Sequence, residues 1–201
     1  CKEAVDSLPE ISDGEVSGGV DLIDDQEACP FLAALKHRLK VREDVQYGLG
    51  LNHMEQGNLL HEALAEFWET HRTQSSVLDM SEEQVELAVR EAVENAMFSQ
   101  KRNYIIGERA VENEIRATSH KILKLLEIEK NRPPFEVVEI ESKSKIDVGG
   151  LTLTIRKDRV DAVDLDNTGE FGALMPIDYK KGEVRLTGLS EKVTSSQLPL
   201  A

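Results

Sequence analysis

Two acidic residues and one lysine in the last third of the chain have the types and spacing of a hydrolytic metal site. Asp178 and Lys180 close the segment Leu174 to Lys180, which has the composition of a short buried strand. Residues two positions apart in a strand point to the same face, so both side chains are expected to share one site. Asp158 lies on the preceding segment, Leu151 to Val163, which alternates like a half-buried strand.

This set of groups suits metal-assisted hydrolysis of a phosphodiester. Mg²⁺ prefers oxygen ligands and is typically held by one or two carboxylates together with substrate phosphate. A nearby lysine can position or deprotonate water and offset the charge of the phosphate. Asp and Lys also occur together on the solvated faces of many hairpins, so an ordinary surface pair is the alternative interpretation.

The order of these residues resembles the core motif of the PD-(D/E)XK nuclease superfamily. Ile155-Arg-Lys-Asp-Arg-Val-Asp161 followed by Pro176-Ile-Asp-Tyr-Lys180 is similar in particular to the RecB/AddB-like exonuclease branch. In that branch a G-R-I-D-R-I-D strand precedes a strand that ends in D-Y-K. Ile155 replaces the glycine of this pattern, and Lys157 stands where an apolar residue is usual. The chain as a whole resembles the nuclease-like domain of bacterial DNA repair proteins.

Further segments match this family in the family's order. Gly57-Asn-Leu-Leu-His61, at the start of a predicted helix, resembles a G-T-x-x-H segment whose histidine ligates the metal. Glu141 on the first predicted strand corresponds to a glutamate that often faces the site, although Glu139 has the same parity and stays an alternative. Gln197-Leu-Pro-Leu resembles the family's Q-L-P-L-Y segment, with Ala201 where the tyrosine is expected.

The resemblance implies a divalent-metal-dependent deoxyribonuclease, more narrowly an exonuclease acting in DNA repair or recombination. The expected metal ligands are His61, Glu141, Asp158, Asp178 and the carbonyl of Tyr179. The expected catalytic residues are Asp158, Asp178, Lys180 and Gln197, with Lys180 orienting or deprotonating the attacking water. The expected ion is Mg²⁺, and Mn²⁺ is expected to substitute because an imidazole is an unusual ligand for Mg²⁺.

DNA is the implied substrate, and a helicase or the rest of a larger repair protein is the expected partner. The chain opens on Cys1 rather than Met and stops abruptly, so it is interpreted as a fragment of a larger protein. The alternative is a catalytically inactive, nuclease-like module for DNA binding or interaction. Three features of the sequence favour that alternative: the net charge of −14, Lys157, and the absence of the expected tyrosine at position 201.

The fold implied is α/β, with a restriction-endonuclease-like core. A small mixed β-sheet flanked by helices is expected to follow an α-helical N-terminal half. Residues 1–20 are predicted to be an acidic arm or linker, and residues 21–201 the nuclease-like domain. Helices are predicted from Gly57, from the capping box at Ser81 and over Tyr104 to Lys130, whose charges are expected to form a solvated face.

The apolar segments and the cysteines of the sequence limit the classes of protein to which the chain can belong. The sequence contains no apolar run long enough to cross a membrane and no signal-peptide pattern, so a cytoplasmic protein is expected. The two cysteines fit neither a disulfide framework nor a zinc site. Cys29, in Gln26-x-x-Cys29-Pro30-Phe31, matches a position that ligates an iron–sulfur cluster in some relatives, but one cysteine cannot hold a cluster. We therefore predict no iron–sulfur cluster and a buried packing role for Cys29.

Overall fold

The computed structural model describes residues 18–41, 50–100, 107–148, 151–165 and 168–180. Within these ranges the helices precede the strands. The helices are α1 (Gly19–Ala28), α2 (Pro30–Ala33), a π-helical turn (Ala34–Arg38), α3 (His53–Thr70), α4 (Gln74–Leu78), α5 (Glu82–Gln100) and α6 (Glu108–Glu129). The strands are β1 (Phe135–Val148), β2 (Leu151–Val163) and β3 (Ala173–Ile177). Gln197 and most of the predicted acidic arm lie outside the described residues.

The strands form a small antiparallel sheet in the order β1-β2-β3. In the β2–β3 ladder Arg159 lies opposite Ile177, and Val163 lies opposite Ala173. Continued by one residue, this register sets Asp158 opposite Asp178, and directly opposed residues of an antiparallel pair share a face. The predicted α/β class, with a restriction-endonuclease-like core and a helical N-terminal half, is confirmed, whereas the strands of the described residues pair in an antiparallel sheet and not in the mixed sheet that was expected.

The chain divides into two compact units. The first is drawn from residues 45–142 and 157–184 and includes α3 to α6, the beginning of β1, the end of β2 and β3. The second is drawn from residues 1–44, 143–156 and 185–201 and includes α1, α2 and the π-helical turn. Among the helices of the described ranges, none combines the length and apolar character needed to cross a bilayer.

Helix α3 runs through the core of the first unit. Leu60, Leu64 and Phe67 recur at helical spacing and are buried, as their pattern predicts. The helix begins at His53, because Asn52 accepts a hydrogen bond from the Glu55 backbone while the Glu55 carboxylate accepts one from the Asn52 backbone. The prediction that Gly57 opens this helix is therefore wrong.

Helices α5 and α6 pack with α3 to complete the helical layer. Ser81 and Gln84 form the predicted capping box, with hydrogen bonds of 2.8 and 3.3 Å, and α5 follows from Glu82. Helix α6 begins at Glu108, whereas residues 104–106 of its predicted first turn lie outside the described part of the chain. Glu129, at its end, is buried, so the prediction of a solvated face for its charges is wrong at this residue.

Cys29 does not have the buried packing role that its sequence context suggested. It is exposed, with an extended backbone (φ −162°, ψ 108°) between the end of α1 and Pro30, the first residue of α2. Proline is favoured in the first turn of a helix and restricts the residue before it to extended conformations. This break in the helical path leaves the thiol on the surface.

Candidate metal centre

Three of the predicted ligands come together although they lie on separate elements. His61 on α3, Glu141 on β1 and Asp158 on β2 each offer one ligand atom, and these atoms all lie within 4.8 Å of one another. His61 Nδ1 is 3.2 Å from Asp158 Oδ1. One imidazole nitrogen with two carboxylates is a donor set that suits a divalent cation with mixed nitrogen and oxygen ligation, such as Mn²⁺. The residues present therefore fit a metal centre.

Asp158 is the most firmly held member of this cluster. It is buried, and its Oδ2 accepts a hydrogen bond of 2.8 Å from the backbone N–H of Tyr179. Burial raises the pKa of Asp158, but the hydrogen bonds from His61 and Tyr179 and the charge of His61 outweigh it, so the pKa falls below its ordinary value. The carboxylate is thus kept ionised, the form that a metal ligand requires.

His61 lies between acidic groups on the edge of the buried helix face. Its hydrogen bond with Asp158 raises its pKa, burial opposes this shift, and Asp158, the Tyr179 backbone and Glu141 add to it. Tyr179 borders both residues, because its backbone N–H donates to Asp158 Oδ2 and its ring lies edge-to-face with the His61 ring, with centroids 6.2 Å apart.

Glu141 has a backbone conformation that is rare in a strand. Its φ is +50°, in the left-handed region, which costs a residue with a side chain about 1–2 kcal/mol. This conformation interrupts the regular alternation of side chains along β1. Glu139 and Glu141, although two residues apart, therefore need not point to the same face of the sheet. Glu141 joins His61 and Asp158, whereas the Glu139 carboxylate accepts from Ser142 Oγ at 2.6 Å and from Lys157 Nζ at 3.2 Å.

The Glu139–Lys157 pair also accounts for the unusual lysine in the motif. Lys157 occupies a position where the motif described above usually has an apolar residue. Its side chain is 22% exposed, and its ammonium pairs with the Glu139 carboxylate on the neighbouring strand. The hydrogen bond from the Ser142 hydroxyl lowers the pKa of Glu139, and the Lys157 ammonium lowers it further. Lys157 is therefore accommodated by a neighbouring strand without displacing Asp158 from the cluster.

Asp178 and Lys180 follow directly after the last residue of β3. Their side chains form an ion pair of 2.9 Å and are each about half exposed, at 49% and 46%. Tyr179 between them is buried, which is the alternation that the sequence predicts. The β2–β3 register, continued by one residue, sets Asp178 opposite Asp158, so the two predicted carboxylates are neighbours.

A buried group of charged residues beneath the site was not anticipated from the sequence. Arg159 is 1% exposed and binds the carboxylates of Glu129 and Asp161, which are likewise buried. Arg132 Nη1 contacts the same two carboxylates. We call Glu129, Arg132, Arg159 and Asp161 the charge cluster. The sequence signal for this cluster is the presence of three charged residues, Asp158, Arg159 and Asp161, within four positions of a predicted strand.

The fold and the grouped ligands together define an α/β domain with a candidate site for a divalent cation. A family model described as the PD-(D/E)XK nuclease superfamily matches residues 18–201. The chain therefore belongs to this superfamily, whose nucleases use divalent metals. No curated protein matches the chain at a significant level.

Proposed function

We propose that this chain is a divalent-metal-dependent deoxyribonuclease of the RecB/AddB-like exonuclease branch, acting in DNA repair or recombination. The observation that carries the proposal is the grouping of His61, Glu141 and Asp158, with the Asp178–Lys180 pair next to Asp158. The expected ion is Mg²⁺, with Mn²⁺ as a substitute. A cytoplasmic location and a helicase, or the remainder of a larger repair protein, as partner belong to the same proposal.

In this proposal each residue of the site has a separate role in phosphodiester hydrolysis. A bound divalent cation supplies a more acidic water and offsets charge on the scissile phosphate. Asp158, held by the Tyr179 N–H, presents an oriented carboxylate, and His61 and Glu141 present the other protein donors. Asp178 now engages Lys180, and a role for Asp178 as ligand would release the Lys180 ammonium to donate to a phosphate oxygen or the attacking water. Gln197 is proposed to assist that water.

A nuclease-like module that binds without cutting is the second candidate. The observation that favours it is the charge: 38 acidic residues against 24 Lys and Arg give a net −14, which repels the DNA backbone. A bound divalent cation would neutralise only part of this net negative charge. Metal binding without cleavage is the result that distinguishes this module from an enzyme.

The test is cleavage of linear single- and double-stranded DNA and of covalently closed circles with Mg²⁺, Mn²⁺ or a chelator, alongside Mn²⁺ titration by calorimetry. Glu141→Gln and Glu139→Gln form a matched pair, since both remove one charge from the same strand. We expect Glu141→Gln to lower the cleavage rate about 100-fold or more, because loss of groups that merely support ligands typically costs 10–100-fold. Glu139→Gln is expected to cut at close to the unaltered rate.

Each outcome assigns the function. Metal-dependent cutting of linear DNA that spares covalently closed circles supports an exonuclease, and cutting of circles supports an endonuclease. Mn²⁺ binding that is weakened by Glu141→Gln but accompanied by no cutting supports the binding module. Equal effects of the two substitutions, or no Mn²⁺ binding by the unaltered protein, would refute the assignment of the metal centre.

A further inference from the structure

Tyr179 links the candidate metal centre to the charge cluster. Its side chain is buried, and its phenol oxygen accepts a hydrogen bond of 2.7 Å from Arg159 Nη1. Burial raises the pKa of Tyr179, so the phenol is neutral at physiological pH. The same residue donates its backbone N–H to Asp158 Oδ2 at 2.8 Å. One residue thus contacts the buried arginine at its side chain and the predicted ligand at its backbone.

Arg159 is well suited to fix the phenol because its own position is over-determined. Its Nη2 donates to Glu129 Oε2 at 2.9 Å and to Asp161 Oδ2 at 2.7 Å. Its guanidinium also lies over the ring of Trp68, with 4.3 Å from Cζ to the ring centroid. A planar donor held by two carboxylates and an aromatic face has little freedom to rotate.

The segment that Arg159 would fix needs such support. In the described ranges β3 ends at Ile177, so Asp178, Tyr179 and Lys180 follow the last residue of the β2–β3 ladder. Ligand geometry is effective only when it is held within about 0.5 Å. A tyrosine anchored in the core can hold such a segment where regular strand pairing has stopped.

We propose that Arg159, acting through the Tyr179 phenol, is a positioning residue that orients the Asp158 carboxylate. Arg159 itself contacts no reacting group. The proposal deepens the proposed function, since it concerns the ligand on which that function depends. It assigns to the phenol a task separate from that of the Tyr179 backbone N–H, which donates directly to Asp158.

The test compares Tyr179→Phe with Arg132→Met. The first removes only the phenol oxygen and keeps the ring. The second removes a cation that binds the same carboxylates as Arg159 but has no bond to Tyr179. Two quantities are measured: the Mn²⁺ dissociation constant, by calorimetry, and hydrogen exchange of the backbone amide at position 179 in metal-free protein.

For Tyr179→Phe we expect the Mn²⁺ dissociation constant to rise about tenfold, as is typical when a group supporting a ligand is lost. The amide at position 179 should exchange about tenfold faster, because its bond to Asp158 opens more often. Arg132→Met should lower the stability of the protein but leave both quantities within twofold.

The proposal is overturned if Tyr179→Phe leaves exchange at position 179 unchanged, or if Arg132→Met changes both quantities as much. The first result would mean that the phenol does not hold the segment, and the second that any loosening of the charge cluster has the same effect. The exchange measurement needs no metal. It therefore tests the positioning of Asp158 even if the unaltered protein fails to bind Mn²⁺ and the proposed function is refuted.

Discussion

Removal of the Arg159 guanidinium should be among the most damaging single changes to the first compact unit. Arg159→Met keeps much of the side-chain length but leaves Glu129 and Asp161 with Arg132 as their remaining partner in the charge cluster. Loss of one member of a buried ion pair typically costs 3–5 kcal/mol, because the other member stays buried without full compensation. We therefore expect the free energy of unfolding to fall by about 3–5 kcal/mol.

Arg132→Met provides the comparison because it removes the second cation of the same cluster. The Arg132 side chain is 18% exposed, so water can partly replace its bonds. Its removal should cost about 1–3 kcal/mol, the range for hydrogen bonds to charged groups and for their loss. A typical domain is stable by about 5–15 kcal/mol, so either loss is a large and measurable fraction of the free energy of unfolding.

The assay is urea unfolding followed by tryptophan fluorescence. Trp68 is the only tryptophan in the sequence, is 1% exposed and lies directly under the Arg159 guanidinium, so it reports on this region. A shift in midpoint at constant slope isolates a change in stability. A loss below about 1 kcal/mol for Arg159→Met, or a loss no larger than that of Arg132→Met, would refute the reasoning.

Three further predictions concern the framework of the site and use the same unfolding assay. Asn52→Ala should lower stability by about 1 kcal/mol, because it removes the capping box of α3, and an unchanged midpoint would contradict this role. Leu64→Ala should cost about 2–5 kcal/mol at a fully buried position, whereas Leu87→Ala, 67% exposed, should stay within about 0.5 kcal/mol. Glu141→Gly should raise stability by about 1 kcal/mol through relief of its positive φ while it weakens Mn²⁺ binding. Glu139→Gly, in regular strand backbone, should lower stability, and a stabilising effect there would contradict the argument.

The order of the elements could be predicted because local patterns specify it. Leu60, Leu64 and Phe67 recur at the period of a helix, and Ser81 with Gln84 forms a readable capping box. The strands likewise follow from alternation and from the turn residues between them. These signals extend over a few residues, so they can be recognised in the sequence without knowledge of tertiary contacts.

The arrangement of the candidate site depended on contacts that no local pattern contains. The positive φ of Glu141 separates it from Glu139, and strand parity cannot anticipate an interruption of the pleat. The Asn52–Glu55 capping box is a local signal in the sequence, and it sets the start of α3 at His53, four residues before Gly57. The buried charge of Glu129 depends on Arg159, which lies on a strand far along the sequence.

The stack of Arg159 on Trp68 has a consequence for synthesis of the chain. Trp68 is covered by Phe135, with ring centroids 5.5 Å apart, and by Arg159, and both are translated well after it. At 5–20 residues per second the ribosome needs roughly 5–20 s to reach Arg159 after Trp68. During that interval the helical part of the nascent chain exposes a large aromatic surface. A product truncated before Phe135 should therefore bind chaperones or aggregate, and the helices alone should not persist as an independent folding unit.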